Sequence, residues 1–314
     1  MIHTSNGALP AGPPLPRAAQ TAGFLLREPR FLEHCRERYG DVFTLDLMGR
    51  AVQGPGAAER EARWVFLADP DHVKQLFTAD PAVVLTGATN VFLQGAVGPR
   101  SILVLDEPEH MTQRKLMLPA FHGERVHAYR ELIAEVTRAE LARWPVGRPF
   151  PLWPRMQAIT LEVIVRAVFG IAEPSRLAHV RDVLRTMLNR MTAPRWLAAH
   201  MLLVSVAGRD RVGDWRSVRR LLGPVDDAIN SEIRRRRVAA DLDERDDVLS
   251  MLLLARTEDG SSLSDEDLHD ELMTLLIAGH ESTATSLRGR SSACSAIPPS
   301  SSACARTTRT PTPW

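Results

Sequence analysis

Three cysteines stand in 314 residues, and two of them, Cys294 and Cys304, fall in the last stretch of chain. That is too few, and too unevenly placed, for a disulfide framework, and it points to a reducing, cytoplasmic setting. An excess of one charge is also missing: 39 Lys and Arg stand against 38 Asp and Glu, for a net charge of +1. A balance this close to neutral gives no general reason to invoke nucleic acid or a membrane surface. The longest apolar run, Leu197 to Ala207, is too short to span a bilayer and contains His200. Residues 1–30 lack the basic start and apolar core of a secretion signal. There is no internal repeat. What is present is a 44% hydrophobic chain, ample for a large core.

The pattern along the chain is mostly α with a small N-terminal β region. Residues 1–16 form a Pro-rich, stiff, extended lead-in, Leu9-Pro-Ala-Gly-Pro-Pro-Leu-Pro16 at its end. A short helix is expected over Phe31–Tyr39. Val42–Leu47 and Trp64–Ala68 read as strands, joined by a loop holding Gly54-Pro55-Gly56. Asp69-Pro70-Asp71 caps a short helix through Phe77. Val126, Tyr129, Leu132, Ile133 and Val136 mark one helix; Met156, Ile159, Val163, Ile164, Ala167 and Val168 mark another. Segments 177–190 and 213–237 are helical with more charge. The run Arg234-Arg235-Arg236-Arg237 reads as a solvated helix end, balanced by Asp241, Asp243 and Glu244.

One long helix carries the most unusual choices. Ser264 is placed to N-cap it, with Asp265, Glu266 and Asp267 complementing the dipole in the first turn. Leu268, Leu272, Leu275, Leu276, Gly279 and Thr283 then fall on one face. The middle reads Ala278-Gly279-His280-Glu281-Ser282-Thr283. Glycine weakens a helix, a carboxylate resists burial, and hydroxyls compete for backbone hydrogen bonds. A helix that accepts all three is shaped around something, with Gly279 leaving room for a flat object or small molecule. The plainer reading is a packing glycine and a hydroxyl bonded back to its own helix. His280-Glu281 is no zinc motif, because Ala284 stands where a second histidine is needed.

After Leu287 the composition breaks. Residues 288–314 contain no Asp or Glu and, apart from Ile297, no aliphatic residue larger than alanine. Such a segment cannot bury enough apolar surface to offset its ordering entropy. It fits a natural disordered tail or GC-rich coding sequence translated in the wrong frame. The abrupt change, in mid-helix and without a C-cap, favours the second.

A second polar cluster spans Asp106-Glu-Pro-Glu-His-Met-Thr-Gln-Arg-Lys-Leu-Met-Leu-Pro-Ala-Phe-His122. Pro108 suits a first helical turn. His110 and Arg114, at i and i+4, share a face and make a clamp for a carboxylate or phosphate. Taken alone, a surface His/Arg pair explains them as well. The spacing of His110, His122 and His127 matches no metal site, and no metal ligands are assigned.

The order is a Pro-rich start, a two-strand hairpin, a helix with His-x-x-x-Arg followed by Pro-Ala-Phe, and a long helix with Ala-Gly-His-Glu-Ser-Thr. Over residues 9–287 it resembles a cytochrome P450 of the soluble bacterial kind. The resemblance implies a P450-like fold whose C-terminal part is missing, with 17–287 an incomplete domain and 288–314 a disordered, frame-shifted tail. It implies haem as cofactor, with His110 and Arg114 holding the propionates and Ala278 and Gly279 lying over the distal face. Glu281 and Ser282 match the family's acid–alcohol pair, which relays protons to iron-bound dioxygen. The family usually has threonine where this chain has Ser282, and Thr283 keeps a second hydroxyl beside it.

The chain departs from the family where it ends. The Glu-x-x-Arg helix and the Phe-x-x-Gly-x-x-x-Cys loop are absent, and neither Cys294 nor Cys304 has the surrounding glycines or phenylalanine. Cys35 falls in a predicted helix and reads as a packing residue. The resemblance therefore implies a haem-thiolate monooxygenase by descent, acting on a small apolar organic substrate with a ferredoxin or flavoprotein reductase as redox partner, and inactive in this chain because the thiolate is missing. Two other readings stay open: a helical fragment that binds small apolar molecules or a protein partner, and a helical regulator with a basic segment.

Overall fold

A computed structural model of the chain describes residues 9–47, 63–90, 93–121, 124–171, 173–191, 216–257 and 260–295. They are mostly helical, with one two-stranded sheet. In order, the elements are α1 (Arg17–Tyr39), β1 (Val42–Asp46), β2 (Arg63–Leu67), α2 (Pro70–Phe77), α3 (Thr86–Asn90), α4 (Gln94–Val97) and α5 (Glu109–Met117). A 3-10 turn, Leu118–Phe121, leads to α6 (Glu124–Leu141), α7 (Leu152–Phe169), α8 (Pro174–Met191) and α9 (Arg216–Arg237). A second 3-10 turn, Leu242–Glu244, precedes α10 (Val248–Leu254) and α11 (Asp265–Ser295). The expected Gly54-Pro55-Gly56 loop, the apolar run at Leu197–Ala207 and residues 296–314 lie outside the described residues. No helix among the described residues is long and apolar enough to cross a membrane. The described residues fall into two compact units, 1–115 with 187–226 and 116–186 with 227–314.

In the first unit the lead-in is tied down rather than free. The Thr44 amide donates to the Ala11 carbonyl at 3.1 Å. Gly12 is required there: a Cβ would sit 1.8 Å from the Thr44 carbonyl oxygen. Gln20 ties the same region together. Its amide donates to the Pro13 and Leu15 carbonyls, and its carbonyl accepts from the Asp46 amide at 2.8 Å. Helix α1 begins well before the expected Phe31 and absorbs Pro29 through a non-helical Arg27. Strands β1 and β2 pair antiparallel, with Leu45 opposite Trp64 and Phe43 opposite Phe66. Cys35, Phe43, Leu45 and Leu47 form the buried cluster beneath them, flanked by Phe24, Phe31, Trp64 and Phe66. Asp69 caps α2 by accepting from the Asp71 and His72 amides, as its sequence implied.

In the second unit α11 packs on α7. Leu268, Leu272 and Leu276 of α11 are fully buried, and each is worth roughly 1.5–3 kcal/mol of apolar burial. Further along, Ala284 joins Val136, Met156 and Ile159 in one cluster. Ser264 and Asp267 form the helix's capping box: each side chain accepts from the other's amide, at 3.1 and 3.0 Å. The helix continues past Leu287 to Ser295.

Arg234, Arg235 and Arg237 are exposed, as a solvated helix end requires, and Arg236 is the exception. Arg236 is 4% exposed and donates to Asp247, Ser250 and the Phe169 carbonyl. Arg237 pairs with Asp265. The acid that balances Arg236 is therefore Asp247, which also N-caps α10, and not the nearer Asp241, Asp243 or Glu244. Burial of Arg236 follows from its partners: a guanidinium with three acceptors can leave water, and a lone one cannot. Gly170 ends α7 in the left-handed region at φ 59°, where a Cβ would meet the Asp247 carboxylate at 2.2 Å.

Candidate functional site

One candidate cluster, in the first unit, is built around the start of α5. The Asp106 carboxylate accepts from the Gly87 and Ala88 amides at 2.8 and 3.0 Å, which fixes the chain entering the helix against α3. Glu107 then does two things. Its Oε2 accepts from the Met111 amide at 3.0 Å, and its Oε1 lies 2.9 Å from His110 Nδ1. The hydrogen bond from His110, joined by the Met111 amide, holds the Glu107 carboxyl below the usual carboxylate range. His110 is partly buried. Arg114, one turn on, is exposed and has no hydrogen bond or ion pair with a described residue. A guanidinium left without a protein acceptor suits an external carboxylate, which it can grip through two parallel N–H bonds.

A separate candidate cluster, in the second unit, lies in the middle of α11. The buried ridge runs Leu268, Leu272, Leu276, His280, Ala284, all at i+4 steps. It does not continue through Gly279 and Thr283, as the leucine pattern had suggested. The reason is His280, which is 2% exposed and lies with Nδ1 2.9 Å from the Thr160 hydroxyl of α7. That bond makes a polar ring acceptable in the core, and burial lowers its pKa to about 4. Gly279 sits at the edge of the packed face, where an added Cβ would meet Ile164 Cδ1 at 3.1 Å. Its first service is thus close approach of α7.

The opposite face is uncovered. Ala278, Ser282 and Thr283 are exposed. Ser282 bonds back to the Ala278 carbonyl, and Ser286 to the Ser282 carbonyl at 2.9 Å. Glu281 lies between the two faces, with Oε2 enclosed and without a hydrogen-bond partner among the described residues. His280 and Glu107 were not singled out for these roles by sequence reasoning. Their signals were the i+4 step from Leu276 and the i−3 step from His110.

A haem needs cations for its carboxylates, a surface of small residues for its flat face, and a ligand for iron. Each taken within its own unit, His110 and Arg114 have the chemistry for the first need, and Ala278 with Ser282 for the second. The described cysteine does not fit the third. Cys35 is 1% exposed among Phe43, Leu45 and Leu47, and burial raises its thiol pKa, which disfavours the thiolate. Cys35 is thus a packing residue. Cys304 and the side chains of Cys294, His122 and His127 lie outside the described residues.

Comparison with known proteins gives the family. The family model for cytochrome P450 matches residues 10–289. Putative cytochrome P450 135B1 of Mycobacterium tuberculosis is 38% identical over 287 residues, covering 91% of this chain and 57% of the relative. Putative cytochrome P450 135A1 of the same species is 35% identical, covering 91% and 60%. The chain thus spans under two thirds of the length of the curated relatives it matches. Among solved structures, retinoic acid-bound cyanobacterial CYP120A1 superimposes with a TM-score of 0.60 at 20% identity, covering 89% of this chain and 59% of that one. The haem domain of cytochrome P450DA gives 0.58 at 22% identity, covering 88% and 57%. The chain belongs to the cytochrome P450 family.

Proposed function

We propose that the chain descends from a haem-thiolate monooxygenase that places an oxygen atom from dioxygen into a small apolar organic substrate. The observation that carries the reading is on α11: an enclosed, unpartnered Glu281 oxygen beside the exposed hydroxyls of Ser282 and Thr283. The family resemblance assigns this acid–alcohol pair to proton relay, and the neighbouring positions of Glu281 and Ser282 support that reading. Arg114 and His110 would hold the cofactor's carboxylates. Ala278 would leave space for its flat face, with Gly279, whose missing Cβ faces Ile164, at the edge of that surface. A haem bound through cysteine thiolate supplies dioxygen activation, and its electrons come from a ferredoxin or flavoprotein reductase.

The same reading assigns residues 288–314 to a shifted frame. Its support is the loss of acidic and large aliphatic residues there, together with a family match that stops at residue 289. The test is a reduced carbon-monoxide spectrum of the haem-supplied chain. The expected result is no thiolate-haem band from this chain and a clear one once the frame past Leu287 is restored. A thiolate band from the 314-residue chain contradicts the proposal.

A further inference from the structure

The Glu107–His110 contact carries a consequence for anion binding that the resemblance does not supply. An ionised carboxylate accepts hydrogen bonds and donates none. At 2.9 Å from Glu107 Oε1, His110 Nδ1 must therefore carry a proton. A neutral imidazole has one N–H only, so Nε2 is then a bare acceptor. Facing a carboxylate, a bare Nε2 repels rather than binds.

We propose that Glu107 is a positioning residue that fixes the His110 proton on Nδ1, so that a carboxylate is held at Nε2 only when the ring takes up a second proton from solvent. The proposal rests on the reading of His110 and Arg114 as the clamp for the cofactor's carboxylates. The proton bookkeeping is simple: one proton enters from water onto Nε2, His110 becomes a cation, and no other bond changes. Arg114 contributes an unconditional charge beside it, because guanidinium does not titrate in this range.

Among the described residues Glu107 is the group shown in contact with the His110 ring. The hydrogen bond from His110 holds the Glu107 carboxyl below the usual carboxylate range, which favours its ionised form. Asp106 is occupied by the Gly87 and Ala88 amides. Helix α3, which Asp106 anchors, reads Thr-Gly-Ala-Thr-Asn, and α4 reads Gln-Gly-Ala-Val, so neither brings a titratable side chain. On α5 itself the other charged groups are Glu109, Arg114 and Lys115, and among the described residues Glu107 is the carboxylate paired with the His110 ring.

Glu107→Gln separates this role from helix capping. A glutamine keeps a carbonyl for the Met111 amide and offers an N–H to His110 Nδ1. It thereby moves the imidazole proton to Nε2, where a neutral ring can donate to an anion. Two measurements on the full chain decide the matter. Nitrogen-15 NMR of His110 in the free protein should show the Nδ1–H tautomer, and Glu107→Gln should shift it to Nε2–H. Metal-free protoporphyrin carries both carboxylates and needs no iron ligand, so its fluorescence reports binding directly. Its affinity for the unaltered chain should fall as pH rises, by up to roughly tenfold per pH unit, the limit for one linked proton. That slope should vanish in Glu107→Gln, and protoporphyrin dimethyl ester should show no slope with either protein. An Nε2–H tautomer in the unaltered chain, or the same slope in Glu107→Gln, overturns the proposal alone. Failure of the unaltered chain to bind protoporphyrin at any pH overturns it together with the reading it rests on.

Discussion

Thr160 and His280 lie 120 positions apart and meet at 2.9 Å in the core of the second unit, the imidazole of α11 against the hydroxyl of α7. The contact determines which way α11 faces. With His280 turned inward, Ser282 is left on the open side. His280 has a folded pKa of about 4 against an ordinary 6.5, so above that ordinary value both folded and unfolded states are neutral and its contribution is complete. As pH falls from there toward the folded value, the unfolded chain takes up a proton that the folded chain refuses. Stability should drop by up to about 1.4 kcal/mol per pH unit from this group and level off below the folded pKa. Urea midpoints for the chain and for His280→Leu, followed from about pH 7.5 to about pH 5, test this, and the leucine variant should lose that part of the slope. Equal slopes would mean that His280 does not titrate as its burial implies.

Arg236 supports the fold from the other end of the same unit. Arg236→Ala strands Asp247 in the core and should cost about 3–5 kcal/mol, as broken buried pairs do. Arg236→Lys should recover little, since an ammonium cannot reach Asp247, Ser250 and the Phe169 carbonyl from one plane. By contrast Arg166→Ala, which frees Glu135 with its side chain 63% exposed, should cost about 1 kcal/mol or less. Denaturant unfolding of the three variants ranks them. An Arg236→Ala loss as small as that of Arg166→Ala would return Arg236 to the solvated helix end.

Two glycines should respond in opposite ways. Gly279→Ala brings a Cβ to 3.1 Å from Ile164 Cδ1, the end of a flexible side chain that can move by tenths of an ångström. Helix propensity gains up to about 1 kcal/mol, so the net change should be near zero. Gly170→Ala combines a left-handed backbone with a collision against Asp247, and should cost more than about 2 kcal/mol. Thermal unfolding of the two variants checks the contrast. Strong destabilisation by Gly279→Ala would show that the helices cannot yield there.

Local signals read well from sequence, and distant ones did not. Asp69 and the Ser264–Asp267 box act within a turn of their own residues, so a few letters of sequence reveal them. The two strands were legible from their β-branched and aromatic residues. Residues Arg17–Arg30 were not, because Pro29 interrupts the pattern and the kink at Arg27 leaves no visible period. The facing of α11 depended on Thr160, and the burial of Arg236 on Phe169 and Asp247, none of which lies on the same helix. In the candidate site, the His110–Arg114 step was visible because helical neighbours are fixed by spacing. The coupling of His110 to Glu107 needs side-chain geometry.

With the frame restored, variants of the α5 cluster and of the α11 cluster should fail differently. Arg114→Ala should weaken haem retention by ~1.5–3 kcal/mol, the worth of a hydrogen bond to a charged group. Ser282→Ala should keep haem and waste reducing equivalents, since general acid–base help of this kind is worth about 10²–10⁴-fold. If Thr283 supplies the hydroxyl, Ser282→Ala is silent and Thr283→Ala uncouples. Product formed per reduced nicotinamide consumed measures this for each single variant and the double. Full coupling in the double variant would leave both hydroxyls as helix residues.

The central claim is that a cytochrome P450 reading frame is interrupted near Leu287. Reading the coding DNA beyond that codon in all three frames tests it most directly. A different frame should continue α11 and then encode a Glu-x-x-Arg helix and a Phe-x-x-Gly-x-x-x-Cys loop. If neither alternative frame is protein-like, the frame-shift account is wrong and residues 288–314 are a tail native to this chain.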